Sequence, residues 1–163
     1  MLSPRDWIRS ACPFVRWPVF NYMKGESLMQ YATLKEKISA EKAIRAQRNT
    51  EFETITAAAH AAGIKAGREC RPIPMVVSTA SGIAIECVDD GACGFAWIEF
   101  PGNTAFGRWA KKQGLARSHY PSGLCIWVSE FGQSIDRKES YAVAYARVLR
   151  DAGIKAFAGS RLD

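Results

Sequence analysis

The sequence predicts an α+β fold, a mixed or mainly antiparallel sheet covered by helices, in the order α-α-β-β-β-α-β-α-β. Three observations carry that expectation. Between Pro74 and Phe100 lie three short apolar runs, Met75 to Ser78, Ile83 to Val88 and Cys93 to Ile98, parted by Thr79-Ala80-Ser81-Gly82 and by Asp89-Asp90-Gly91. Ser-Gly and Asp-Gly between β-prone runs are hairpin signals, so consecutive antiparallel strands are expected. Leu124 to Ser129 is apolar enough for a central strand. From Arg137 to Ala152, residues Tyr141, Ala144, Tyr145, Val148, Leu149 and Ala152 recur at helical spacing, which gives a helix one broad face to lay on the sheet.

The remaining elements follow from local signals. Tyr31, Leu34 and Ile38 fall at helical spacing, with Lys37/Glu41 and Glu41/Arg45 as i, i+4 pairs, and predict a weakly anchored helix to about Gln47. At Thr50 the pattern T-x-x-E to Glu53 reads as a capping box that starts a second helix, with Phe52, Ile55 and Ala59 inward and a stop at Gly63. The phrase AGIKA recurs at Ala62 to Ala66 and at Ala152 to Ala156, and both copies read as helix ends with a left-handed glycine. Asn103 or Thr104 opens a helix to about Gln113, closed by Gly114, with Phe106, Trp109 and Ala110 inward. Ile154 to Ala158 is a short last strand.

Domain organisation divides into residues 1–28 as an N-terminal extension, 29–48 as the weakly anchored helix and 49–163 as a single α+β domain. Pro4, Pro13 and Pro18 interrupt the opening segment, whose Arg9, Arg16, Trp7 and Trp17 would suit a basic aromatic arm but cannot form one continuous helical face. Lys24-Gly25-Glu26 requires a purine-rich codon run that mimics a ribosome-binding site just before Met29. Translation from Met29 is the resulting expectation for residues 1–28.

With 163 residues, 48% of them hydrophobic, the chain is long enough to bury a substantial core. The 22 Lys and Arg against 16 Asp and Glu give a net charge of +6, which favours acidic partners. Five cysteines, Cys12, Cys70, Cys87, Cys93 and Cys125, form no C-x-x-C pair, and only His60 and His119 could join them, so no metal site is expected. Reduced, buried thiols in a cytoplasmic protein are the expectation instead. No apolar run approaches the roughly 20 residues that span a bilayer, and no membrane partner is expected. No glycine string matches a P-loop or dinucleotide fingerprint, and no serine sits in a G-x-S-x-G setting. No cofactor is expected.

Two residue sets could carry function. In Gln133-Ser134-Ile135-Asp136-Arg137-Lys138-Glu139, Asp136 and Glu139 read as the cap of the last long helix, whereas Arg137 and Lys138 place positive charge where the helix dipole disfavours it. Free backbone N–H groups and cations together hold anions. Arg108, Lys111 and Lys112 share one helix face, with Arg117 and His119 in the next loop. If the two clusters converge, they would grip the backbone of DNA or RNA, with Tyr120 or Trp127 stacking on bases. The other set is Cys93 as a nucleophile with His119 as its base and Asp89 or Asp136 as orienter.

At AAHAAGIKAGRECRPIPMVV, DDGACGFAWIEF and GLARSHYPSGLCIWVSEFGQSIDRKESYAVAYARVLRDAGIKAFAGSRLD, covering about residues 50–163, the chain resembles a family of small proteins encoded by tailed phages and integrated prophages. The family supplies a setting, phage replication or action on host factors, and no catalytic residues. The leading expectation is therefore a non-enzymatic binding protein using Arg108, Lys111, Lys112, Arg117, Arg137 and Lys138 for nucleic acid or another polyanion. A Cys/His hydrolase or transferase and a protein–protein inhibitor of a host factor are the alternatives.

Overall fold

The computed structural model of the chain describes residues 19–121 and 123–163. It is an α+β fold with two antiparallel sheets, in the order α1 (Val19–Glu69), β1 (Met75–Ser78), β2 (Ala84–Val88), β3 (Gly94–Phe100), α2 (Ala105–Lys112), β4 (Arg117–Ser118), β5 (Leu124–Trp127), α3 (Ile135–Asp151) and β6 (Phe157–Leu162). The expectations for residues 1–18, including the prolines, both early tryptophans and Cys12, lie outside the described residues. The chain divides after Arg45, and Ala46–Asp163 is the compact unit that contains the sheets.

Two helices were expected on either side of Thr50, and the structure has one. Thr50 Oγ1 donates to the Ala46 carbonyl at 3.3 Å and Thr54 Oγ1 to the Thr50 carbonyl at 3.0 Å, so these hydroxyls bond back one turn inside a continuous helix. Nor does α1 stop at Gly63. That glycine lies against the Tyr141 ring, where a Cβ would stand 2.6 Å from Cδ2, and Gly67 likewise faces the Phe131 ring. The missing side chains let α1 approach closely, a use of glycine that the first AGIKA shares with no helix end. The second AGIKA does end a helix: Gly153 has φ +78°, its N–H reaches the Arg150 carbonyl at 2.9 Å, and that of Ile154 reaches Leu149 at 2.9 Å.

Met75–Ser78 and Ala84–Val88 form the expected hairpin, closed by Thr79 to Ile83 with Gly82 at φ +83°. The third run does not pair with them. β3 instead enters a separate four-stranded sheet of order β4-β5-β3-β6, all neighbours antiparallel. Its elements, β3-α2-β4-β5-α3-β6, follow the order of the split β-α-β motif. β3 and β5 are the two inner strands, and β6, placed at Phe157–Leu162 rather than Ile154–Ala158, is an edge.

Alternation along β3 sets the core. Ala96, Ile98 and Phe100 are buried against the helices, with Leu124 from β5. Above them pack Tyr141, Tyr145 and Leu149 of α3, Phe106 and Trp109 of α2, and Phe52 and Ala59 of α1. Thr104 caps α2 as expected, its Oγ1 accepting from the Gly107 N–H at 3.0 Å, and Gly114 follows the C-cap at φ +74°. The Phe52, Phe106 and Trp109 rings meet at centroid distances of 5.4 to 5.6 Å and join α1 to α2.

Candidate functional site

The period of two that buries Ala96, Ile98 and Phe100 sends Phe95, Trp97 and Glu99 to the other face of β3. Register adds their neighbours: Trp127 stands opposite Trp97 and Cys125 opposite Glu99, while on β6 Phe157, Gly159 and Arg161 oppose Glu99, Trp97 and Phe95. Arg117 pairs with Cys125 from the outer strand β4. One face of the sheet thus holds the helices, and the opposite face gathers aromatic rings, two arginines and one carboxylate.

The rings form a continuous tier. Phe95 meets Trp127 edge-on at 6.3 Å, Trp127 meets Trp97 at 5.2 Å, and Trp97 meets His119 at 5.5 Å. Trp97 lies over Gly159, where a Cβ would stand 2.6 Å from its Nε1, so only glycine leaves the indole room. The indole N–H donates to Glu99 Oε1 at 2.6 Å, and His119 Nε2 lies 3.2 Å from the same oxygen. Arg161 places its guanidinium carbon 5.4 Å from the Phe95 centroid. Trp127 is 43% exposed, Phe157 62%, and Tyr120, in the β4–β5 turn, 89%. Such a face can stack planar groups and pair anions with the flanking guanidinium groups. Cys125 beneath it is buried; burial and then the Glu99 charge raise its thiol pKa, and Arg117 opposes them.

At the end of β3 lies a cleft of about 680 Å³ lined by Glu99 and Phe157 from the open face, by Phe100, Leu124, Ser118 and Lys111 of α2 from the helix side, and by the Pro101–Asn103 turn. Ligand sites commonly occupy roughly 300–1,000 Å³. Lys111 is the member of the α2 cluster that reaches this cleft, while Arg108 turns back to donate to the Asn103 carbonyl at 2.6 Å and Lys112 is exposed on the helix surface.

The second basic cluster does not join the first. Lys138 is only 5% exposed; its ammonium donates to the Gly94 carbonyl at 3.0 Å and sits 5.5 Å from the Phe95 centroid. Arg137 is half-buried, with Nη1 3.5 Å from the Gly67 carbonyl in the last turn of α1 and Nε 3.5 Å from Asp90. A cation there complements the unpaired carbonyls of a helix C-terminus. Both cations therefore tie α3 to its neighbours and neither presents an anion site. The cap also differs from expectation: α3 starts two residues earlier with Ser134 as N-cap, and Asp136 Oδ2 accepts from the Ile73 N–H at 2.8 Å. Gly94 and Glu99 mark opposite ends of β3, so the clusters are separated by most of a strand.

The same distance separates the expected thiol and its base. Cys93 precedes β3 and bridges to Ser134, whereas His119 is held at Glu99. A strand rise of about 3.4 Å per residue puts roughly 20 Å between Cys93 and Glu99. Asp89, exposed in the turn after β2, is likewise at the Cys93 end. Of the described cysteines only Cys125 is buried; Cys87 and Cys93 are exposed, against the expectation of buried thiols.

Reading the sequence singled out Arg117, Lys111, Trp127 and Tyr120 of this region and missed Phe95, Trp97, Glu99, Phe157 and Arg161. The available signal was the alternation in Gly94-Phe95-Ala96-Trp97-Ile98-Glu99-Phe100, where small or aliphatic residues mark one face and large amphipathic ones the other. Comparison with protein-family models, curated proteins and solved structures finds no match for the chain.

Proposed function

We propose that this chain is a cytoplasmic binding protein of phage or prophage type that holds single-stranded nucleic acid across the open face of its four-stranded sheet. The observation that carries the reading is the tier Phe95–Trp127–Trp97–His119 on the two inner strands and the β4–β5 turn, with Arg117 and Arg161 beside it. Rings on the inner strands of a sheet whose other face carries helices, Trp127 exposed and Phe95 and Trp97 partly buried, suit splayed bases, because every base has a stackable face. Arginines at the margin suit the phosphates between those bases. The net charge of +6 favours the approach of a polyanion.

The test is fluorescence anisotropy of a labelled thymidine oligonucleotide at a series of salt concentrations. Trp127→Ala should weaken binding by roughly 5- to 150-fold, the equivalent of about 1–3 kcal/mol for one lost stack. Arg117→Ala should reduce the slope of log K against log salt by about 0.7 for one lost phosphate contact on a single strand. Wild-type affinity in Trp127→Ala, or no oligonucleotide binding at all, would refute the reading.

A protein partner is the second reading, favoured by one observation. Val76, Ile83 and Ile85 of the two-stranded hairpin are exposed, as is Ile73 before it. A hairpin variant with Ile83 and Ile85 replaced by Thr would lose that partner and keep oligonucleotide binding.

A further inference from the structure

We propose that the cleft at the end of β3 is a guanine-selective base pocket, an inference that rests on the nucleic-acid reading of the adjoining face. Glu99 lines the cleft and is fixed in place from two sides: Trp97 Nε1–H donates to Oε1 at 2.6 Å, and His119 Nε2 lies 3.2 Å from that oxygen. Both contacts engage Oε1. Among the described residues no hydrogen bond occupies Oε2, and the Glu99 side chain is 41% exposed. A carboxylate oriented in this way is an acceptor with no donor of its own, so it selects bases by the donors on their Watson–Crick edge.

Guanine presents two adjacent donors there, N1–H and the N2 amino group. Adenine sets an acceptor, N1, beside its amino group; cytosine sets N3 beside its own; thymine flanks one N–H with two carbonyls. With Oε1 engaged, guanine alone can aim two donors at the open Oε2, whereas each of the other bases sets a lone pair beside the one donor it offers. The rest of the cleft fits a nucleotide. Phe157, directly across from Glu99 in the sheet and exposed, supplies a ring for the base, and Lys111 of α2, which also lines the cleft, supplies a cation for its phosphate. The cleft volume of about 680 Å³ accommodates a purine nucleotide. Glu99 and Phe157 stand on the same face as the tier of rings, so a strand stacked on Trp127 and Trp97 would deliver its next base to Glu99 at the mouth of the cleft.

The experiment compares three labelled nine-nucleotide DNA probes by anisotropy with the full chain: all thymidine, thymidine with one central guanine, and thymidine with one central adenine. The guanine probe should bind more tightly than the adenine probe by roughly 5- to 150-fold, the range for one two-point contact to a base edge. Glu99→Gln should bring that ratio close to one. Its affinity for the thymidine and adenine probes should rise, since a negative charge has left the face, while that for the guanine probe falls toward theirs. Equal binding of all three probes by the wild-type chain would overturn the guanine pocket while leaving the stacking face intact. A guanine preference that persists in Glu99→Gln would overturn the role of the carboxylate. Failure of every probe to bind would overturn the stacking face and this pocket with it.

Discussion

Gly159→Ala places a methyl group under the working face and tests whether Trp97 belongs to it. The added Cβ would stand 2.6 Å from Trp97 Nε1, 2.7 Å from Cε2 and 3.0 Å from Cζ2. Ordinary contact lies near 3.5–4.0 Å, so the indole must move outward by about 1 Å. It is free to do so, being only partly buried on an open face. The 2.6 Å bond to Glu99 would then break. A bond to a charged acceptor is worth about 1.5–3 kcal/mol, against which alanine recovers about 0.5–1 kcal/mol of strand propensity. Stability should therefore fall by about 1–2 kcal/mol, read as a lower urea midpoint at unchanged slope. Oligonucleotide affinity should fall by roughly 5- to 150-fold as one stacking surface leaves the tier. A variant with the lowered midpoint and wild-type affinity would refute the role given to Trp97.

Other expectations follow from contacts inside the fold. Lys138→Ala leaves the Gly94 carbonyl without its 3.0 Å donor and should cost about 1–3 kcal/mol in urea denaturation, with no change in the salt slope of oligonucleotide binding. A shallower slope would return Lys138 to the phosphate contacts. Gly63→Ala gains about 1 kcal/mol of helix propensity but presses a methyl group into the Tyr141 ring, whose hydroxyl is tied to His60 Nδ1 at 2.6 Å. The overpacking costs about 1–3 kcal/mol, so the variant should be less stable, and a gain in stability would contradict the close approach of α1. Burial pushes the Tyr145 pKa up to about 12 and moves Tyr141 in the same direction. Because the folded state holds these protons more tightly than an unfolded tyrosine near pH 10, their stability is whole below about pH 10 and is lost as pH rises toward the folded value. For Tyr145 alone two units correspond to about 3 kcal/mol, and urea midpoints from pH 9 to 12 that do not decline would overturn this.

What the sequence revealed depended on how local each signal was. α2 was legible to within a residue because Thr104 caps it by a contact three residues away and Gly114 ends it with its own backbone. Thr50 and Gly63 misled for the same kind of reason. Threonine before a glutamate serves as well inside a helix as at its start, and a glycine that could end a helix can equally admit a neighbouring ring. Strand partners lay beyond local signals: β3 looks like the third member of a meander and finds its neighbours thirty and sixty residues onward. Lys138 shows the limit for the site. Its charge suggested an anion contact, but whether a lysine at a helix start reaches solvent or a buried carbonyl is decided by what packs on that turn, here Gly94 and Phe95. The aromatic face was half visible, since alternation in β3 separates its two sides but does not tell which one the helices cover.

The most direct test of the central claim is a nuclear magnetic resonance titration that follows the tryptophan indole N–H signals as a thymidine oligonucleotide is added. Trp97 and Trp127 lie on the open face, whereas Trp109 is buried against Phe52 and Phe106 on the other side of the sheet. The Trp97 and Trp127 signals should shift together and saturate while that of Trp109 stays in place. Saturating binding that leaves Trp97 and Trp127 unmoved would contradict that claim.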